Sequence, residues 1–154
     1  MISIQLKIST DYAVRTLIYL AQKNKKIISS TEVAQAMKIP QKYLIRLGKE
    51  LRDAGLIISH PGTYGGYSLA KKAEEISLYD VVALMEGTVK LNRCLEEDCS
   101  CNRNLVGYCP VHKSYTVMQK KWENFLKGIT IADLKKDISE KEIEDRIDGL
   151  EIRL

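Results

Sequence analysis

The sequence places a basic helical segment directly before two short apolar runs that flank a glycine-rich turn, and this order constrains the fold most. The runs at 56–59 and 67–70 have the length and apolar character of β-strands. The segment 60–66 between them contains one proline and three glycines, which is typical of a turn. The pattern predicts a β-hairpin that follows a helix without a linker.

Two further helices are predicted upstream of this hairpin. Ser29 and Glu32 have the spacing of a capping box at the start of a short helix. Pro40 suits the first turn of the next helix, and Gly55 provides a left-handed stop at its end. A short helix, a turn and a basic second helix form a helix-turn-helix, and the hairpin makes it a winged helix. We therefore expect a mainly α fold with a small β-hairpin wing, preceded by a helix at 9–24.

The remaining sequence divides the chain into three parts. Residues 1–87 form the predicted winged helix-turn-helix domain, whose last helix is capped by Ser77 and stopped by Gly87. Residues 88–112 are predicted to be a cysteine-rich loop. Residues 113–154 are predicted to contain a long amphipathic helix at 113–127, a short helix capped by Thr130, and a charged final helix starting at Ser139 and running to residue 154.

Charge is distributed unevenly between the two halves of the chain. Residues 1–72 hold 12 Lys and Arg against 4 Asp and Glu, whereas residues 73–154 hold 12 against 16. The basic half is therefore expected to bind a polyanion, and with a winged helix that polyanion is double-stranded DNA. The sequence shows no apolar run of the roughly 20 residues that span a bilayer and no secretory signal. We expect a cytoplasmic protein without a membrane partner.

The second helix of a helix-turn-helix enters the major groove, so its exposed polar residues are the candidate DNA contacts. Gln41 and Arg46 have side chains that can read adenine and guanine, respectively, through paired hydrogen bonds. Lysine side chains bind phosphates, which give affinity without sequence information. The predicted DNA-binding residues are Lys38, Gln41, Lys42, Arg46, Lys49 and, in the wing, Tyr64.

All four cysteines lie in one short stretch, and the other 138 residues contain none. A disulfide framework would spread its cysteines along the chain, so this clustering favours metal binding or redox chemistry. The order is Cys94, Cys99, Cys101 and Cys109, followed three residues later by His112. An iron–sulfur cluster, zinc, and a metal-free disulfide switch (Cys99 with Cys101, or Cys94 with Cys109) are all compatible with these residues.

Several segments resemble the Rrf2 family of bacterial winged-helix transcriptional regulators, over roughly residues 3–136. They are KISTDYA at 7–13, KYL at 42–44, LRDAGL at 51–56, GGYSLA at 65–70 and ITIADL at 129–134. The resemblance is to members that sense iron–sulfur status or nitric oxide through a cluster. It implies a homodimer in which a long helix of each subunit crosses the other. The helix at 113–127 fits that role, with Trp122, Phe125 and Leu126 at the dimer interface, although the same residues could equally form an intramolecular core.

The resemblance also implies a ligand set of three cysteines in one loop and a variable fourth ligand. Cys94 and Cys109 take the outer positions, and Cys101 is favoured over Cys99 for the middle one because its gaps of six and seven residues are more even. His112 is the favoured fourth ligand, with Asp11 of the partner subunit as the alternative. With an imidazole among the ligands, a 2Fe–2S cluster is favoured over 4Fe–4S.

The sequence therefore predicts a DNA-binding transcriptional regulator, with repression favoured, whose operator binding is controlled by an iron–sulfur cluster. A cluster-free regulator with a disulfide switch is the alternative. No nucleophile–base pair, phosphate loop or cofactor fingerprint occurs in the sequence, so enzyme activity is not expected.

Overall fold

The computed structural model describes residues 5–23, 26–99, 101–136 and 139–148. Seven helices, two strands and two 3-10 turns follow one another along these ranges. In chain order they are α1 (Ile8–Gln22), α2 (Ser30–Met37), α3 (Gln41–Asp53), β1 (Ile57–His60), β2 (Gly66–Leu69), a 3-10 turn (Ala73–Glu75), α4 (Leu78–Glu86), a second 3-10 turn (Arg93–Leu95), α5 (Pro110–Gly128), α6 (Ile131–Lys135) and α7 (Glu140–Asp148). The predicted mainly α fold with a hairpin wing is confirmed.

The helix ends largely follow the predicted signals. The Ser29 hydroxyl accepts a hydrogen bond from the Glu32 backbone N–H at 3.1 Å, and the Ser77 hydroxyl accepts one from Asp80 at 3.2 Å. Gly55 and Gly87 have φ angles of +71° and +82°, the left-handed conformation expected after a helix. The predicted end of the final helix, at residues 149–154, lies outside the described residues.

The start of α1 is stabilised by contacts with the end of α4, which is distant in sequence. The backbone N–H of Lys7 and the hydroxyl of Thr10 both donate to the Glu86 carboxylate, at 2.8 and 2.5 Å. The Lys7 ammonium group in turn donates to the carbonyls of Met85 and Glu86 at the end of α4, each at 3.2 Å. Burial raises the pKa of Glu86, but the bonds from Thr10 and Lys7 outweigh it and leave this pKa below its ordinary value. The start of α1 and the end of α4 therefore stabilise each other.

The wing is an antiparallel hairpin that is attached to the helix-turn-helix by a third short segment. β1 and β2 pair with Ile57 opposite Leu69 and His60 opposite Gly66. Ile28, just before α2, forms a bridge to Tyr67, with N–H···O distances of 2.9 and 2.8 Å. Gly66 has a φ of +155°, and a Cβ at this position would overlap with the Ile28 carbonyl. Glycine is thus required where the hairpin crosses Ile28.

Two apolar clusters hold the elements together. The larger cluster joins α1, α2, α3, the hairpin, α4 and α6, and its fully buried side chains include Leu17, Leu44, Leu51, Ile76 and Ile131. The smaller cluster packs α5 against α4 and contains Val82, Val89 and Leu126. α5 is therefore attached to the winged-helix domain through α4, which precedes the cysteine loop.

Candidate functional site

The outer face of α3 is exposed and cationic. Lys42, Arg46 and Lys49 are exposed, as is Ile45, while Leu44 and Leu47 face the core. Lys38 stands in the turn before α3 in a left-handed conformation, with a φ of +56°, and its side chain is also exposed. The structure thus leaves four of the predicted DNA contacts accessible to phosphates.

Both of the predicted base-reading side chains make contacts within the chain. The Gln41 amide nitrogen donates to the Ser30 hydroxyl at 2.9 Å, so Gln41 is half-buried rather than free. The Arg46 guanidinium lies 4.6 Å from the centre of the Tyr43 ring, and its Nε is 4.0 Å from a Glu50 carboxylate oxygen. Arg46 is therefore oriented by contacts within the chain, whereas Gln41 would have to break a hydrogen bond to read a base through both amide atoms.

A groove between α3 and the wing adds residues that the sequence analysis did not identify. Its lining adds Arg52, Ser59 and Tyr67 to the predicted contact residue Lys49. Tyr67 packs on Gly48, where a Cβ would lie 2.5 Å from the tyrosine hydroxyl oxygen. A glycine inside a helix is unfavourable by about 1 kcal/mol relative to alanine. The glycine at position 48 in the predicted helix was therefore the sequence feature that could have indicated a close contact there.

The tip of the wing extends into solvent. Tyr64 is 95% exposed, in the turn between β1 and β2. At the turn end of the hairpin, His60 Nε2 and the Ser68 hydroxyl lie 2.9 Å apart across the two strands. The side chain of the predicted contact residue Tyr64 is thus accessible to a ligand that approaches the hairpin turn.

The cysteine loop begins after α4 and ends at the start of α5. Cys94 lies in the 3-10 turn Arg93–Leu95, where its N–H donates to the Asn92 side chain at 3.3 Å. This turn packs against α5. Cys94, Cys101 and Cys109 are half-buried, whereas Cys99 is exposed.

Cys101 lies in a tight turn that stabilises a thiolate. Backbone hydrogen bonds from Leu105, Arg103 and Asn104, together with the nearby Arg103 charge, lower the pKa of the Cys101 thiol. Asn104 has a φ of +51°, and its N–H also donates to the Cys101 carbonyl at 3.0 Å. Thiolates are the form that binds metals, so this environment favours metal ligation by Cys101.

Cys109 and His112 are held together at the start of α5. The helix begins at Pro110, three residues before its predicted start, and the Cys109 sulfur acts as its N-cap by accepting from the His112 N–H at 3.5 Å. Among the described residues, His112 Nδ1 is the one buried side-chain nitrogen or oxygen without a hydrogen-bond partner. A buried polar atom of this kind usually has a partner, so Nδ1 is a candidate ligand atom.

The structure does not gather the predicted ligands into one centre. In the part of the chain that is described, no three His, Cys, Asp or Glu side chains lie close enough to hold a metal ion. Cys109 and His112 are adjacent, while Asp11 forms an ion pair with Arg15 at 2.6 Å on α1. Thiolates repel one another, and ligands of this kind converge when the metal that they bind is present.

The predicted interface helix presents a mixture of buried and exposed apolar residues. Leu126 is 2% exposed and packs on Val82 and Val89 within the chain, which is the intramolecular alternative that the sequence left open for this residue. Trp122 and Phe125 are half-buried and stacked, with ring centres 6.0 Å apart. Val111, Val117 and Met118 are exposed on the same helix.

Comparison with known proteins supports one family. The family model for Rrf2, described as an iron-dependent transcriptional regulator, matches residues 6–137. The chain belongs to the Rrf2 family. It is a winged-helix transcriptional regulator, and the family and its relatives are regulators rather than enzymes. The predicted family resemblance is thereby confirmed.

Two relatives and one solved structure illustrate this similarity. The transcriptional regulator IscR of Vibrio atlanticus is 30% identical over 139 residues, which cover 89% of this chain and 78% of that protein. The regulator NsrR of Shouchella clausii is 35% identical over 127 residues, covering 73% and 85%. The crystal structure of the oxidized form of CymR from Staphylococcus aureus is 28% identical with a TM-score of 0.67, covering 88% and 99%.

Within residues 5–23, 26–99, 101–136 and 139–148, no helix is long and apolar enough to cross a bilayer.

Proposed function

We propose that this Rrf2 regulator binds operator DNA as a homodimer and that an iron–sulfur cluster on the loop 94–112 controls its affinity. The observation that carries the proposal is the arrangement of two potential ligand atoms at the end of the cysteine loop. There, the Cys109 sulfur and the unpartnered, buried Nδ1 of His112 lie on the first turn of α5. Relatives named IscR and NsrR support the same assignment.

The donors fit such a cluster chemically. Cys94, Cys101 and Cys109 are half-buried soft donors, and His112 offers a neutral nitrogen. The exposed Cys99 is the less suitable alternative, and the ion pair with Arg15 makes Asp11 a weaker candidate than His112. When bound, the cluster supplies a site that can be oxidised, nitrosylated or lost. The mixed Cys and His donors favour 2Fe–2S.

The dimer is proposed to form along α5. Its 19 residues extend about 28 Å at 1.5 Å per residue. Val111, Met118 and the half-buried Trp122 and Phe125 provide apolar surface on this helix. A second copy of α5 would cover these side chains and set the distance between two α3 helices, which fixes half-site spacing on DNA. We propose that the dimer acts in the cytoplasm and represses transcription from the promoters that it binds.

The decisive test is anaerobic purification followed by iron and sulfide analysis, absorption spectroscopy and DNA-binding assays. We expect absorption bands between roughly 320 and 460 nm that come from the cluster, and different operator affinities for the loaded and metal-free protein. Cys109→Ser should lose iron, while the matched Cys99→Ser should retain it. Colourless, iron-free wild-type protein, or equal affinities on every cognate site, would contradict the proposal.

A metal-free redox switch is the second candidate. It is favoured by the similarity to CymR in an oxidized form and by the exposed Cys99 two residues from the low-pKa Cys101. Such a switch would join two thiols by a disulfide, with loss of two protons and two electrons to an oxidant such as a peroxide. Intact-mass analysis after peroxide treatment distinguishes the two, because a disulfide lowers the mass by two hydrogens.

A further inference from the structure

Gln119 is a buried polar residue in the middle of α5, and the function proposed above does not account for it. Its side chain is 5% exposed. Its amide oxygen accepts a hydrogen bond from the Leu91 N–H at 2.8 Å, and its amide nitrogen donates to the Val89 carbonyl at 3.1 Å. One side chain of the helix therefore holds the backbone of the residues that begin the cysteine loop.

Glu123, one turn further along α5, completes this arrangement. Its carboxylate accepts from the Gln119 amide nitrogen at 2.8 Å and from the Lys90 ammonium group at 2.9 Å. Burial raises the pKa of Glu123, but the hydrogen bonds from Lys90 and Gln119 outweigh it and keep this pKa low. We call Gln119, Glu123 and residues 89–91 the loop clasp.

The clasp holds the start of the cysteine loop on the helix that carries its end. Seven residues separate His112 from Gln119, which is about 10 Å along the axis of an α-helix. Three residues separate Leu91 from Cys94, which lies in the 3-10 turn Arg93–Leu95. This turn packs against α5. A chain held at Gln119 therefore keeps the turn with Cys94 on the helix whose first turn carries Cys109 and His112.

We propose that Gln119 is a positioning residue that fixes Cys94 relative to Cys109 and His112. The clasp holds the first residues of the loop against α5 before a cofactor binds, so both ends of the loop are attached to one helix. The cofactor part of this inference rests on the proposed function, but the clasp itself does not. Loss of the clasp frees residues 89–95 without removing a ligand.

The test compares Gln119→Leu, which keeps the bulk and removes the hydrogen bonds, with Lys120→Ala, an exposed neighbour on the same helix. In reduced, metal-free protein, we expect Gln119→Leu to raise the exchange rate of the Leu91 amide and the alkylation rate of Cys94 by roughly five- to tenfold. Cys109 alkylation and the Lys120→Ala variant should stay at wild-type values. In iron-loaded protein, transfer of iron to a chelator should accelerate by a similar factor.

A second variant keeps the test valid if Gln119→Leu does not fold. Glu123→Gln removes the charge that pairs with Lys90 and should increase Leu91 exchange by a smaller factor. Unchanged exchange and alkylation in folded variants would overturn the clasp. Faster exchange with unchanged Cys94 alkylation would overturn the positioning role. Wild-type protein that binds no iron would refute the cluster, and the metal-free measurements would still decide the clasp.

Discussion

Gly48 shows how one residue shapes the DNA-binding surface. The ring of Tyr67 occupies the space that a side chain at position 48 would need, and Tyr67 is itself paired with Ile28 and Ser59. The tyrosine cannot move aside without disturbing the sheet. The glycine therefore determines how closely the wing approaches α3.

Gly48→Ala is expected to destabilise the protein by up to about 2 kcal/mol. Overpacking against the Tyr67 ring costs about 1–3 kcal/mol, and alanine regains up to about 1 kcal/mol of helix propensity. Urea unfolding measures the difference. Gly107→Ala is the control, because a Cβ there meets open space, and it should change stability by less than about 0.5 kcal/mol. Equal midpoints for the two variants would show that Tyr67 adapts without cost.

Lys49→Ala tests phosphate binding by the exposed face of α3. Log affinity falls with log salt concentration, and removing one phosphate contact per subunit should make this negative slope shallower by about 0.9 for each subunit. Specific and nonspecific DNA should lose affinity alike, because phosphates are the same in every sequence. Fluorescence anisotropy over a salt series measures the slope. The control is Lys141→Ala on α7, and a slope identical to that of the control would exclude Lys49 from the contact.

At the scale of elements, an ion pair joins α7 to α6, and α7 also packs against α5. The Arg146 guanidinium lies 2.6 Å from the Asp133 carboxylate, which also completes the capping box of Thr130. Burial raises the pKa of Asp133, but the bonds from Arg146 and Thr130 dominate and lower it to about 2. Both the start of α6 and the position of α7 therefore depend on a charged Asp133.

Acid is expected to detach α7 before the rest of the chain unfolds. The folded-state pKa of Asp133 is below its ordinary value of 3.8, so its contribution is complete above about pH 5 and is lost as the pH falls towards 2. Hydrogen exchange of the α7 amides should accelerate over this interval. In Arg146→Ala the same amides should exchange rapidly already at neutral pH, and slow exchange there would show that other contacts hold the helix.

Elements whose ends are set by local residues could be predicted, and those set by distant partners could not. Ser29, Ser77 and Gly87 act within one turn of their own helix, so the sequence sufficed. The start of α1 depends on Glu86, 79 residues away from Lys7, and the start of α5 uses a cysteine sulfur as its cap. An amphipathic pattern also does not identify its partner, which is why the sequence left both an interface and an intramolecular core open for Leu126.

At the scale of the whole molecule, the exposed apolar face of α5 predicts self-association. Met118 is 53% exposed in the single chain, so Met118→Glu should leave the monomer fold intact and weaken the dimer at least about tenfold, because it buries a charge at the interface. Sedimentation at several protein concentrations measures the effect. Lys141→Glu is the matched control, and a Met118→Glu variant that remains dimeric would place the interface elsewhere.

The bridge between Ile28 and Tyr67 has a mechanical consequence for such a dimer. It joins the hairpin to the segment before α2, and the close contact at Gly66 leaves little room for rotation between them. The hairpin and the two helices beside it must therefore move as one rigid body. A change in the loop can alter the spacing and tilt of two such bodies on the double helix, while the surface that each presents to its half-site keeps its shape.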